Sequence, residues 1–480
     1  SGVFSAEITT KAQKYAIEKS ILETDKATYQ AMEALVHNLN TMHSRAGAQV
    51  PFSSINYGTD TSAEGRMVIK NVLLATESGL GNGETPIFPI HIFKVKEGVN
   101  YNPEDPNYDL FKLACRVSAK RLFPNFSFID APFNLQYYKK GHPETECAYM
   151  GCRTRVIGNN FDPSNEIVAG RGNLSFTSIN LPRLAIKANG NIDIFFESLD
   201  KMIDLTIGQL NERFEIQAQK KAKNYPFLMG QGVWIGSDKL KPDDTVREVL
   251  KQGTLTVGFI GLAECLVALI GKHHGESKEA QNLGLEIIGH MRKRMDDESK
   301  KTGLNWTLIA TPAEGLSGRF VKMDRERYGV ITGDTDREYY TNSFHIPVYY
   351  EISAYDKIAK EAPYHALTNA GHISYVEVDG DPCNNVEAFE SIIRCMKEKG
   401  IGYGSINHPV DHDTCCGYTG IIDDECPKCG RSEGDVPFER IRRITGYLVG
   451  TLDKFNNAKR AEVEDRVKHI SMNIEEMESL

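Results

Sequence analysis

Four cysteines lie close together in the C-terminal part of the sequence, in the stretch DHDTCCGYTGIIDDECPKCG that begins at Asp411. Cys426 and Cys429 form a C-P-x-C-G turn, a spacing at which two thiolates converge on one zinc ion. Cys415 and Cys416 precede this turn as an adjacent pair, whereas a regular zinc ribbon would carry a second C-x-x-C pair about 10–20 residues away. The pattern predicts a structural metal site in which Cys416, Cys426 and Cys429 are ligands.

The spacing leaves the fourth ligand of this site open. Cys415 would complete a set of four cysteines, Asp413 stands where the missing cysteine of a ribbon would be, and His412 is adjacent to it. We take Cys415 as the fourth ligand and keep Asp413 and His412 as alternatives. Four reduced thiols at the surface are the other interpretation, and they are less favourable because such a cluster would oxidise readily.

A single cysteine earlier in the chain is the second group that could do chemistry. Cys152 lies between Gly151 and Arg153 in the segment MGCRTR. Neighbouring guanidinium groups favour the thiolate form, and a glycine lets a loop pass close to a substrate. Because a lone cysteine is more often a small buried apolar residue, these neighbours alone do not establish a catalytic role.

Further segments place polar groups beside strand patterns. Asn173, in GRGNL, could bind hydroxyls or a carboxylate, although asparagine is also common in turns. The segment ATPAEG predicts a helix start with Thr311 as N-cap, Pro312 as first helical residue and Glu314 as capping-box partner. A free helix N-terminus at a strand end is a ready site for phosphate, although ordinary capping explains the same residues. His345, in YTNSFH, is by itself more typical of a structural histidine.

Composition is that of a globular protein with one or more large domains. The chain has 480 residues, of which 25% are charged and 40% hydrophobic, and its net charge of −9 argues against a general nucleic-acid-binding surface. There is no apolar run long enough for a membrane span, no signal peptide is expected, and the opening at Ser1 without an initiator Met suggests a fragment or the scar of a tag. Ten cysteines, four of them clustered, indicate metal or radical chemistry in a reducing cytoplasm.

Hydrophobic periodicity predicts strands that alternate with helices, which indicates an α/β architecture with a mainly internal sheet. The α/β pattern ends near Asn407-His408-Pro409, which predicts a boundary ahead of the cysteine-rich tail. Helical spacing covers 10–48, 64–74, 106–122, 193–223 and 283–301, and strand patterns cover 51–57, 86–95, 174–181, 254–260, 306–310, 344–348 and 372–378.

These pieces occur together in one order: MGCR, GRGNL with INLPR, ATPAEG, YTNSFH, EAPYHALTNAGHISYVE, the cysteine turn and RRITGYLVG. The combination resembles the anaerobic (class III) ribonucleotide reductases, from about Thr10 to His469. The resemblance implies a glycyl-radical enzyme with a ten-stranded α/β barrel and a small C-terminal zinc-binding radical domain. We accordingly divide the chain into an N-terminal helical segment that continues a truncated barrel (1–50), the catalytic α/β barrel (51–406) and the zinc-binding and glycyl-radical domain (407–480).

The resemblance also assigns roles to residues. The motif R-x-x-G-Y-L places a stable radical at Gly446, which would pass it to Cys152, whose thiyl would abstract the 3′-hydrogen of a ribonucleotide. Only glycine offers a backbone radical centre that no side chain crowds. Asn173 corresponds to a position beside the substrate ribose. The other positions implied to contact substrate are Thr311, Pro312, Ala313 and Glu314, near the phosphates, and Asn342, Ser343 and His345, in the same cavity.

The implied activity is the anaerobic reduction of ribonucleoside triphosphates to deoxyribonucleoside triphosphates, which supplies DNA precursors. The implied partners are a radical-SAM activase that uses S-adenosylmethionine and an iron–sulfur cluster, a second copy in a homodimer, and formate or a thioredoxin-like protein as reductant, with formate favoured. Nucleotide effectors, ATP among them, are expected at an allosteric site. Neither nucleic acid nor a membrane is expected as a partner.

By the same resemblance, the family's second active-site cysteine, the first barrel strands and part of the allosteric site at the dimer interface precede Ser1. We therefore expect a truncated enzyme without turnover of its own. Two alternatives differ in class: another glycyl-radical enzyme, such as an acyltransferase or dehydratase, and a non-catalytic zinc-binding interaction protein. The second would need none of Cys152, Asn173 and Gly446.

Overall fold

The structure is a computed structural model that describes residues 6–43, 50–443, 445–446 and 448–469. Ile444 and Tyr447 of the RRITGYLVG motif lie outside the described residues, as do residues 44–48 of the first predicted helix. Within the described part of the chain, no helix is both long enough and apolar enough to cross a membrane.

Helices and strands alternate along most of the chain. The helices are α1 Ala6–Thr41, α2 Ala63–Ser78, α3 Tyr108–Arg121, α4 Pro132–Leu135, α5 Leu181–Ala188, α6 Ile192–Ala218, α7 Arg247–Leu250, α8 Leu262–Ile270, α9 Lys278–Thr302, α10 Gly315–Tyr328, α11 Ala354–Leu367, α12 Val386–Lys399 and α13 Asn457–Glu464. The strands are β1 Ser54–Tyr57, β2 Ile90–Val95, β3 Asn125–Phe128, β4 Tyr149–Met150, β5 Thr154–Arg155, β6 Asn173–Asn180, β7 Thr254–Ile260, β8 Asn305–Ala310, β9 Ser374–Glu377, β10 Tyr403–Asn407, β11 Val410–Asp413, β12 Tyr418–Gly420, β13 Glu439–Arg443 and β14 Leu448–Thr451.

The long helices begin and end at residues whose chemistry suits those positions. In α9, the Ser277 hydroxyl accepts a hydrogen bond from the Ala280 N–H (3.1 Å), and Gly303 ends the helix in the left-handed conformation. In α2, Ser62 accepts from the N–H of Gly65 in the same way. These caps satisfy backbone groups that have no partner inside the helix, so the helix ends are fixed locally by the sequence.

The chain divides into two compact units. Unit 1 comprises Ser1–Pro124 and Val410–Glu439, and unit 2 comprises Asn125–Pro409 and Arg440–Leu480. This division differs from the predicted one in two ways: residues 1–50 belong to one unit with the segment that follows them, and the tail 407–480 is split. The tail splits because the cysteine turn packs within unit 1, whereas the strand pair β13–β14 carries buried side chains such as Arg443 within unit 2.

Unit 1 contains helices α1 to α3, a parallel strand pair and an antiparallel hairpin. Strand β1 pairs with β2 in the register Ser54↔Ile90 to Tyr57↔Phe93. Strand β11 pairs with β12 in the register Asp411↔Gly420 to Asp413↔Tyr418. This hairpin presents the loop that carries the first two cysteines of the tail.

Unit 2 is built on two sheets. Strands β6, β7 and β8 form a parallel sheet, while β10 pairs in parallel with β9 and antiparallel with β3. Every residue of β7, sequence TLTVGFI, is buried, as expected for a parallel strand covered on both faces. Helices α5, α6, α8 and α9 cover the β6–β8 sheet, and side chains from all four helices share one core with residues of that sheet.

Two local predictions are wrong. Residues 344–348 form no strand: Phe344 is buried by stacking on Tyr364 (ring centroids 5.3 Å apart) inside an irregular turn in which Ser343 has a φ of +43°. A short apolar run has the same sequence pattern whether it is buried in a strand or in an irregular turn, so the pattern alone cannot distinguish the two. The predicted capping box at the start of α10 is also absent, because the helix begins only at Gly315 and Glu314 makes no side-chain cap.

Candidate active site and metal centre

Cys152 lies in the turn of a short hairpin in unit 2. Strands β4 and β5 pair through Tyr149↔Arg155 and Met150↔Thr154, and Gly151 turns the chain with a φ of +56°. Because an L-residue adopts this conformation only at a cost, the glycine before the cysteine has a backbone reason to be there. The hairpin therefore presents Cys152 at the tip of a tightly turned loop.

Backbone contacts hold this hairpin against the end of strand β8. The Arg155 N–H donates to the carbonyl of Ala370 (2.7 Å), and the Ala310 N–H donates to the carbonyl of Gly371 (3.0 Å). A Cβ on Gly371 would lie 2.1 Å from the carbonyl oxygen of Arg153, so only glycine permits this approach. The cysteine loop is thus fixed to the sheet by main-chain hydrogen bonds that its own sequence does not reveal.

The backbone of Gly446 lies directly against that of Cys152. A Cβ built on Gly446 would lie 1.9 Å from the carbonyl oxygen of Cys152 and 2.5 Å from both its carbonyl carbon and its Cα. Real Cβ contacts are never so short, so any side chain at this position would force the two loops apart. Gly446 itself is buried. The residue proposed to store a radical and the residue proposed to receive it are therefore in backbone contact.

Two buried side chains hold the glycine loop by its carbonyl. Asn125 Nδ2 donates to the Gly446 carbonyl oxygen (3.1 Å) and also to the hydroxyl of Tyr403 (2.7 Å). Arg443 Nη1 donates to the same carbonyl (3.3 Å), while its Nε donates to Asn407 Oδ1 (2.9 Å). The peptide on the C-terminal side of Gly446 is therefore oriented by groups from strands β3, β10 and β13.

The side chain of Cys152 is a protonated thiol at neutral pH. Burial raises the pKa of the Cys152 thiol, and the Glu314 carboxylate raises it as well, whereas the Arg153 guanidinium lowers it; the net pKa lies above the ordinary value. The Arg153 guanidinium favours the thiolate, as the sequence predicts, but the desolvation of the charged form outweighs this attraction. A protonated thiol suits hydrogen-atom transfer, in which the S–H bond itself reacts.

The turn after β8 is held by side chains and not by a capping box. The Thr311 and Ser178 hydroxyls lie 2.8 Å apart, and the Ala313 N–H donates to Asn342 Oδ1 (2.7 Å). Arg153 Nη1 donates to the carbonyl of Thr311 (3.4 Å). The structure thus joins the residue after the cysteine, the predicted phosphate turn and the YTNSFH segment through direct hydrogen bonds.

The residues predicted to contact substrate separate into two groups. Asn342 and His345 line a cavity that is also lined by Arg153 and Thr445, the neighbours of Cys152 and Gly446. His345 is buried, and its Nε2 lies 2.8 Å from the carbonyl of Ile373. The other predicted residues of the ATPAEG and YTNSFH segments do not line that cavity. They lie in the turn after β8 or are buried, and they are Thr311, Pro312, Ala313, Glu314 and Ser343.

Asn173 begins strand β6 and is half-buried. Its side-chain amide donates to the hydroxyl of Thr254 (3.0 Å) and to that of Thr256, on the neighbouring strand. Thr256 continues this row of polar groups to Thr307 on β8 (2.8 Å between the hydroxyls). Asn173 is therefore positioned by a ladder of threonines that crosses the parallel sheet.

Three of the predicted metal ligands converge in unit 1, together with an aspartate. Asp413 Oδ2 accepts from the thiols of Cys416 (3.3 Å) and Cys429 (3.2 Å), and the sulfurs of Cys416 and Cys426 lie 3.5 Å apart. One ligand atom from each of the four residues lies within 4.8 Å of the others. A tetrahedral zinc ion with Zn–S distances of about 2.3 Å and Zn–O of about 2.1 Å would separate neighbouring ligands by roughly 3.5–3.8 Å, so the four groups fit it.

The fourth member of this cluster is Asp413 and not Cys415, which corrects our choice among the open alternatives. Cys415 is exposed, and its N–H donates to Asp413 Oδ1 (2.9 Å), so it supports the aspartate through its backbone. Arg431 Nε donates to the same oxygen (2.8 Å), its Nη2 lies 2.7 Å away as part of the ion pair, and the guanidinium holds the pKa of the Asp413 carboxyl well below its usual range. With Oδ1 occupied, Oδ2 is left to face the thiols. His412 lies elsewhere, with its Nδ1 2.8 Å from the hydroxyl of Thr419.

Several residues of the site escaped the sequence interpretation. Asn125 and Arg443 hold the glycine loop, and Glu462, Arg466 and His469 line the cavity from the C-terminal segment. Arg443 belongs to the recognised RRITGYLVG motif, which could have drawn attention to it. The others carry no local signal, because only the fold brings them near Gly446.

The comparisons with known proteins agree with this geometry. A family profile described as anaerobic ribonucleoside-triphosphate reductase matches residues 2–469. The chain belongs to this family. Its members are glycyl-radical enzymes, so the family resemblance read from the motifs is confirmed.

Curated relatives align over nearly the whole chain. The chain is 35% identical over 458 residues to the anaerobic ribonucleoside-triphosphate reductase of Salmonella typhimurium, an alignment that covers 93% of this chain and 62% of that protein. It is 35% identical over 463 residues to the protein of the same name from Enterobacteria phage T4, covering 93% of this chain and 73% of that one. The chain thus spans somewhat under two thirds of the length of its bacterial relatives.

Solved structures show the same fold. An anaerobic ribonucleotide reductase superposes with a TM-score of 0.67 at 16% identity, covering 96% of this chain and 71% of that one. The enzyme from Thermotoga maritima in complex with dATP and CTP superposes with a TM-score of 0.62 at 16% identity, covering 94% and 71%. The mixed α/β fold of anaerobic ribonucleotide reductases is therefore shared by this chain.

Proposed function

We propose that the protein containing this chain reduces ribonucleoside triphosphates to deoxyribonucleoside triphosphates under anaerobic conditions by a glycyl and thiyl radical mechanism. The observation that carries this proposal is the backbone contact between Gly446 and Cys152, where a Cβ would lie 1.9 Å from a carbonyl oxygen. Family membership alone would not require these two residues to meet. A zinc-binding docking module, the alternative of a different class, gives no reason for this contact.

The reaction begins with a hydrogen atom moving between residues of this chain. A radical on the Cα of Gly446 takes the hydrogen atom of the Cys152 S–H bond, which restores the glycine C–H bond and leaves a thiyl radical. The thiyl takes the 3′-hydrogen of the ribonucleotide, the 2′-hydroxyl takes up one proton and leaves as water, and two electrons from the reductant with a second proton complete the C2′–H bond of the deoxyribose. Return of the 3′-hydrogen regenerates the thiyl. The raised pKa of Cys152 keeps the S–H bond available for the first step.

The polar groups around this pair support a nucleotide as substrate. Asn173 would bind near the ribose. The turn at 311–314 would receive phosphate, because α10 begins at Gly315 without a side-chain cap and leaves backbone N–H groups for an anion. Asn342 accepts a hydrogen bond from the Ala313 N–H of this turn, and it also lines the cavity, as His345 does. Ser343 lies between these two residues in the sequence and would hold their segment in place.

Other components follow from the radical chemistry. A glycyl radical needs a separate activase, for which we propose a radical-SAM iron–sulfur protein that uses S-adenosylmethionine. Formate is the favoured reductant, and a thioredoxin-like protein is the alternative. The ten-stranded barrel, the homodimer and the effector sites for ATP and other nucleotides are proposed for the full-length protein. Ten cysteines, all free of disulfide bonds, suit the reducing cytoplasm.

The metal site is proposed to be structural zinc. Asp413, Cys416, Cys426 and Cys429 would hold the ion, and these four ligands would leave no position for a substrate. Arg431 would offset part of the negative charge of three thiolates and a carboxylate around a divalent ion. The zinc would therefore stabilise the tail of unit 1 without taking part in the reaction.

The test is anaerobic electron paramagnetic resonance of the full-length protein with its activase, S-adenosylmethionine and a reductant. We expect a glycyl doublet that Gly446→Ala abolishes. Cys152→Ser should keep the doublet and lose turnover, because it leaves the storage site intact and removes the S–H bond. Gly289→Ala, at a helical glycine with no atom within 4 Å of the added Cβ, is the matched control and should behave as the wild type.

Three outcomes would overturn the proposal. Survival of the doublet in Gly446→Ala would place the radical elsewhere. Turnover of ribonucleotides by Cys152→Ser would remove the thiyl step. Activity of the wild type on a non-nucleotide substrate only would instead favour another glycyl-radical enzyme.

A further inference from the structure

Two buried carboxylates at the start of helix α8 have oxygen atoms without hydrogen-bond partners. Glu264 lies in the first turn of α8, and Asp334 lies in the loop that follows helix α10. Their exposed fractions are only 3% and 2%. Glu264 Oε2 and both side-chain oxygens of Asp334 have no hydrogen-bond partner among the described residues. Buried polar atoms of this kind are rare in folded proteins, so three of them on this carboxylate pair indicate a missing ligand.

The loop that carries Asp334 packs against helix α8. A Cβ on Gly333 would lie 3.2 Å from Val267 Cγ1, and Val267 follows Glu264 by three residues, on the same side of the helix. Burial raises the pKa of Asp334 to about 8, and the Glu264 carboxylate is the next largest cause of this rise. The two carboxylates are therefore close enough to repel each other.

The hydrogen-bond donors around the carboxylate pair are already engaged. Glu264 Oε1 accepts from the N–H (2.9 Å) and from the hydroxyl (2.6 Å) of Thr341. The Tyr340 hydroxyl donates to Asp324 Oδ2 (3.0 Å), which also accepts from Asn180 Nδ2 (2.7 Å). The single phenolic proton is thus used by a third buried carboxylate and does not satisfy Asp334.

The positive side chains near this pair bind other carboxylates. Arg183 Nε donates to Asp324 Oδ1, and Arg337 Nη1 donates to Asp465 Oδ2 (2.7 Å). Within the part of the chain that the structure describes, no lysine, arginine or histidine lies at ion-pair distance from either member of the carboxylate pair. The pair therefore lacks a counter-ion as well as donors.

A proton alone does not satisfy the carboxylate pair. If Asp334 is protonated, its O–H group needs an acceptor, and neither of its oxygens has a partner within hydrogen-bond distance. If both groups are charged, two negative side chains are buried without compensation, which is costly. A cation bound by the three free oxygens removes both problems, and a divalent ion balances the charge of two carboxylates.

We propose that the carboxylate pair binds a divalent cation that prefers oxygen ligands, Ca²⁺ or Mg²⁺, through both oxygens of Asp334 and Oε2 of Glu264. Coordination by both oxygens of one carboxylate suits Ca²⁺, whereas Mg²⁺ demands near-ideal octahedral geometry and usually keeps several waters. We therefore expect Ca²⁺ to bind more tightly. The thiolates of the cysteine cluster select zinc instead, so a zinc-loaded cluster does not compete for these ions.

The cation would also support a segment that lines the cavity of the candidate active site. Glu264 holds the backbone of Thr341, and the Leu262 N–H at the start of α8 donates to the carbonyl of Ser343 (3.1 Å). Thr341 and Asn342 line that cavity. An ion that fixes the Glu264 carboxylate should therefore stabilise this segment together with the loop of Asp334.

The test is a titration of the full-length, zinc-loaded protein without activation and without nucleotide. Calcium chloride and magnesium chloride are the probes, and sodium chloride at matched ionic strength is the blank. Binding is followed by isothermal titration calorimetry, and Tm is followed by differential scanning calorimetry. We expect saturable binding and a Tm that rises with ion concentration, because a ligand of the folded state stabilises it by mass action.

Three variants give the comparison. Asp334→Asn keeps the shape of the side chain but removes its charge, and it should weaken binding by at least about tenfold. Glu264→Gln keeps an acceptor for Thr341 and should weaken binding to a similar extent, so it serves if Asp334→Asn does not fold. Glu326→Gln removes an exposed carboxylate of α10 as the matched control and should leave binding within about twofold.

Three results would overturn the inference. Absence of saturable binding of either ion would mean that water or a proton satisfies the carboxylates. Binding that Asp334→Asn and Glu264→Gln leave unchanged would place the ion elsewhere. An equal loss in Glu326→Gln would reduce the effect to general surface charge. The titration involves no radical and no nucleotide, so its outcome is independent of the proposed reaction.

Discussion

Gly446→Ala tests the contact at the centre of the site without any radical chemistry. The added Cβ would lie 1.9 Å from the carbonyl oxygen of Cys152, whereas non-bonded atoms pack at about 3.5 Å. The two backbones must therefore separate by roughly 1.5 Å. The nearest atoms on the Cys152 side are all backbone, so no side chain can rotate away to relieve the overlap.

The energy of this change has two parts. Overpacking of a buried contact costs about 1–3 kcal/mol. Moving the loop also weakens the hydrogen bonds that Asn125 and Arg443 donate to the Gly446 carbonyl, which adds about 1–2 kcal/mol. The sum is roughly 2–5 kcal/mol. With an unfolding entropy of about 2.1 cal/mol/K per residue over the 480 residues, this corresponds to a fall in Tm of about 2–5 °C.

The assay is differential scanning calorimetry of the non-activated protein with its thiols reduced. Gly289→Ala is the matched control because its Cβ meets no atom within 4 Å and helix α9 gains from alanine, so its Tm should stay level or rise slightly. If Gly446→Ala melts within about 1 °C of the wild type, the two loops are not in contact and the steric reasoning is wrong.

Three other changes have definite expected outcomes. Asp413→Ala and Cys426→Ser should each lower zinc per chain, as measured by elemental analysis, whereas Cys415→Ser should not; an equal loss in Cys415→Ser would return that residue to the ligand set. Alkylation of Cys152, followed by peptide mass spectrometry, should accelerate only at a pH higher than an ordinary cysteine requires because its pKa is raised, and Arg153→Met should move the onset higher still; fast labelling at pH 7 would contradict a protonated thiol. Burial lowers the pKa of His274 to about 3, so the unfolded state binds the extra proton below its own pKa of about 6.5 and stability falls as the pH drops. Between pH 6.5 and 5.5 this residue should lower the free energy of unfolding by about 1 kcal/mol. Urea unfolding at the two pH values should therefore show a loss of stability in His274→Gln that is about 1 kcal/mol smaller than in the wild type; an equal loss would mean that His274 is not buried in its neutral form.

Much of the fold could be predicted from local patterns because the core elements have distinctive sequences. The strand at Thr254–Ile260 was predicted with its observed bounds, since a short segment rich in β-branched and aromatic residues between turn residues is typical of a strand. The prediction at 344–348 failed because Phe344 obtains its burial from Tyr364, a partner distant in sequence. The start of α10 was misplaced because Thr311 bonds across the sheet to Ser178 and not to its own helix. Both errors arise where tertiary contacts override a local signal.

Local motifs predict some features of the site, whereas the features that depend on tertiary contacts cannot be predicted from them. The glycine and the cysteine are found from motifs, because their chemistry restricts the residue type. The protonation of Cys152 cannot be found that way, since it depends on burial that outweighs the adjacent arginine. The choice of Asp413 over Cys415 depends on Arg431, which directs one carboxylate oxygen towards the thiols. Arg466 and His469 are recognisable as residues of the site only in the folded chain, where both line the cavity.

The geometry of the two loops and the protonation of the thiol are consequences of the same burial. Water around Cys152 would favour the thiolate, and a thiolate has no hydrogen atom to give to a carbon radical. A side chain on residue 446 would separate the loops and admit water to the space between them. Glycine therefore does two things here: it provides a radical centre on the backbone, and its missing Cβ lets the Cys152 loop pack closely against it, which limits the access of water to the half-buried thiol. Gly446→Ala should then lower the pKa of Cys152 towards its ordinary value, and alkylation rates in this variant would show that shift directly.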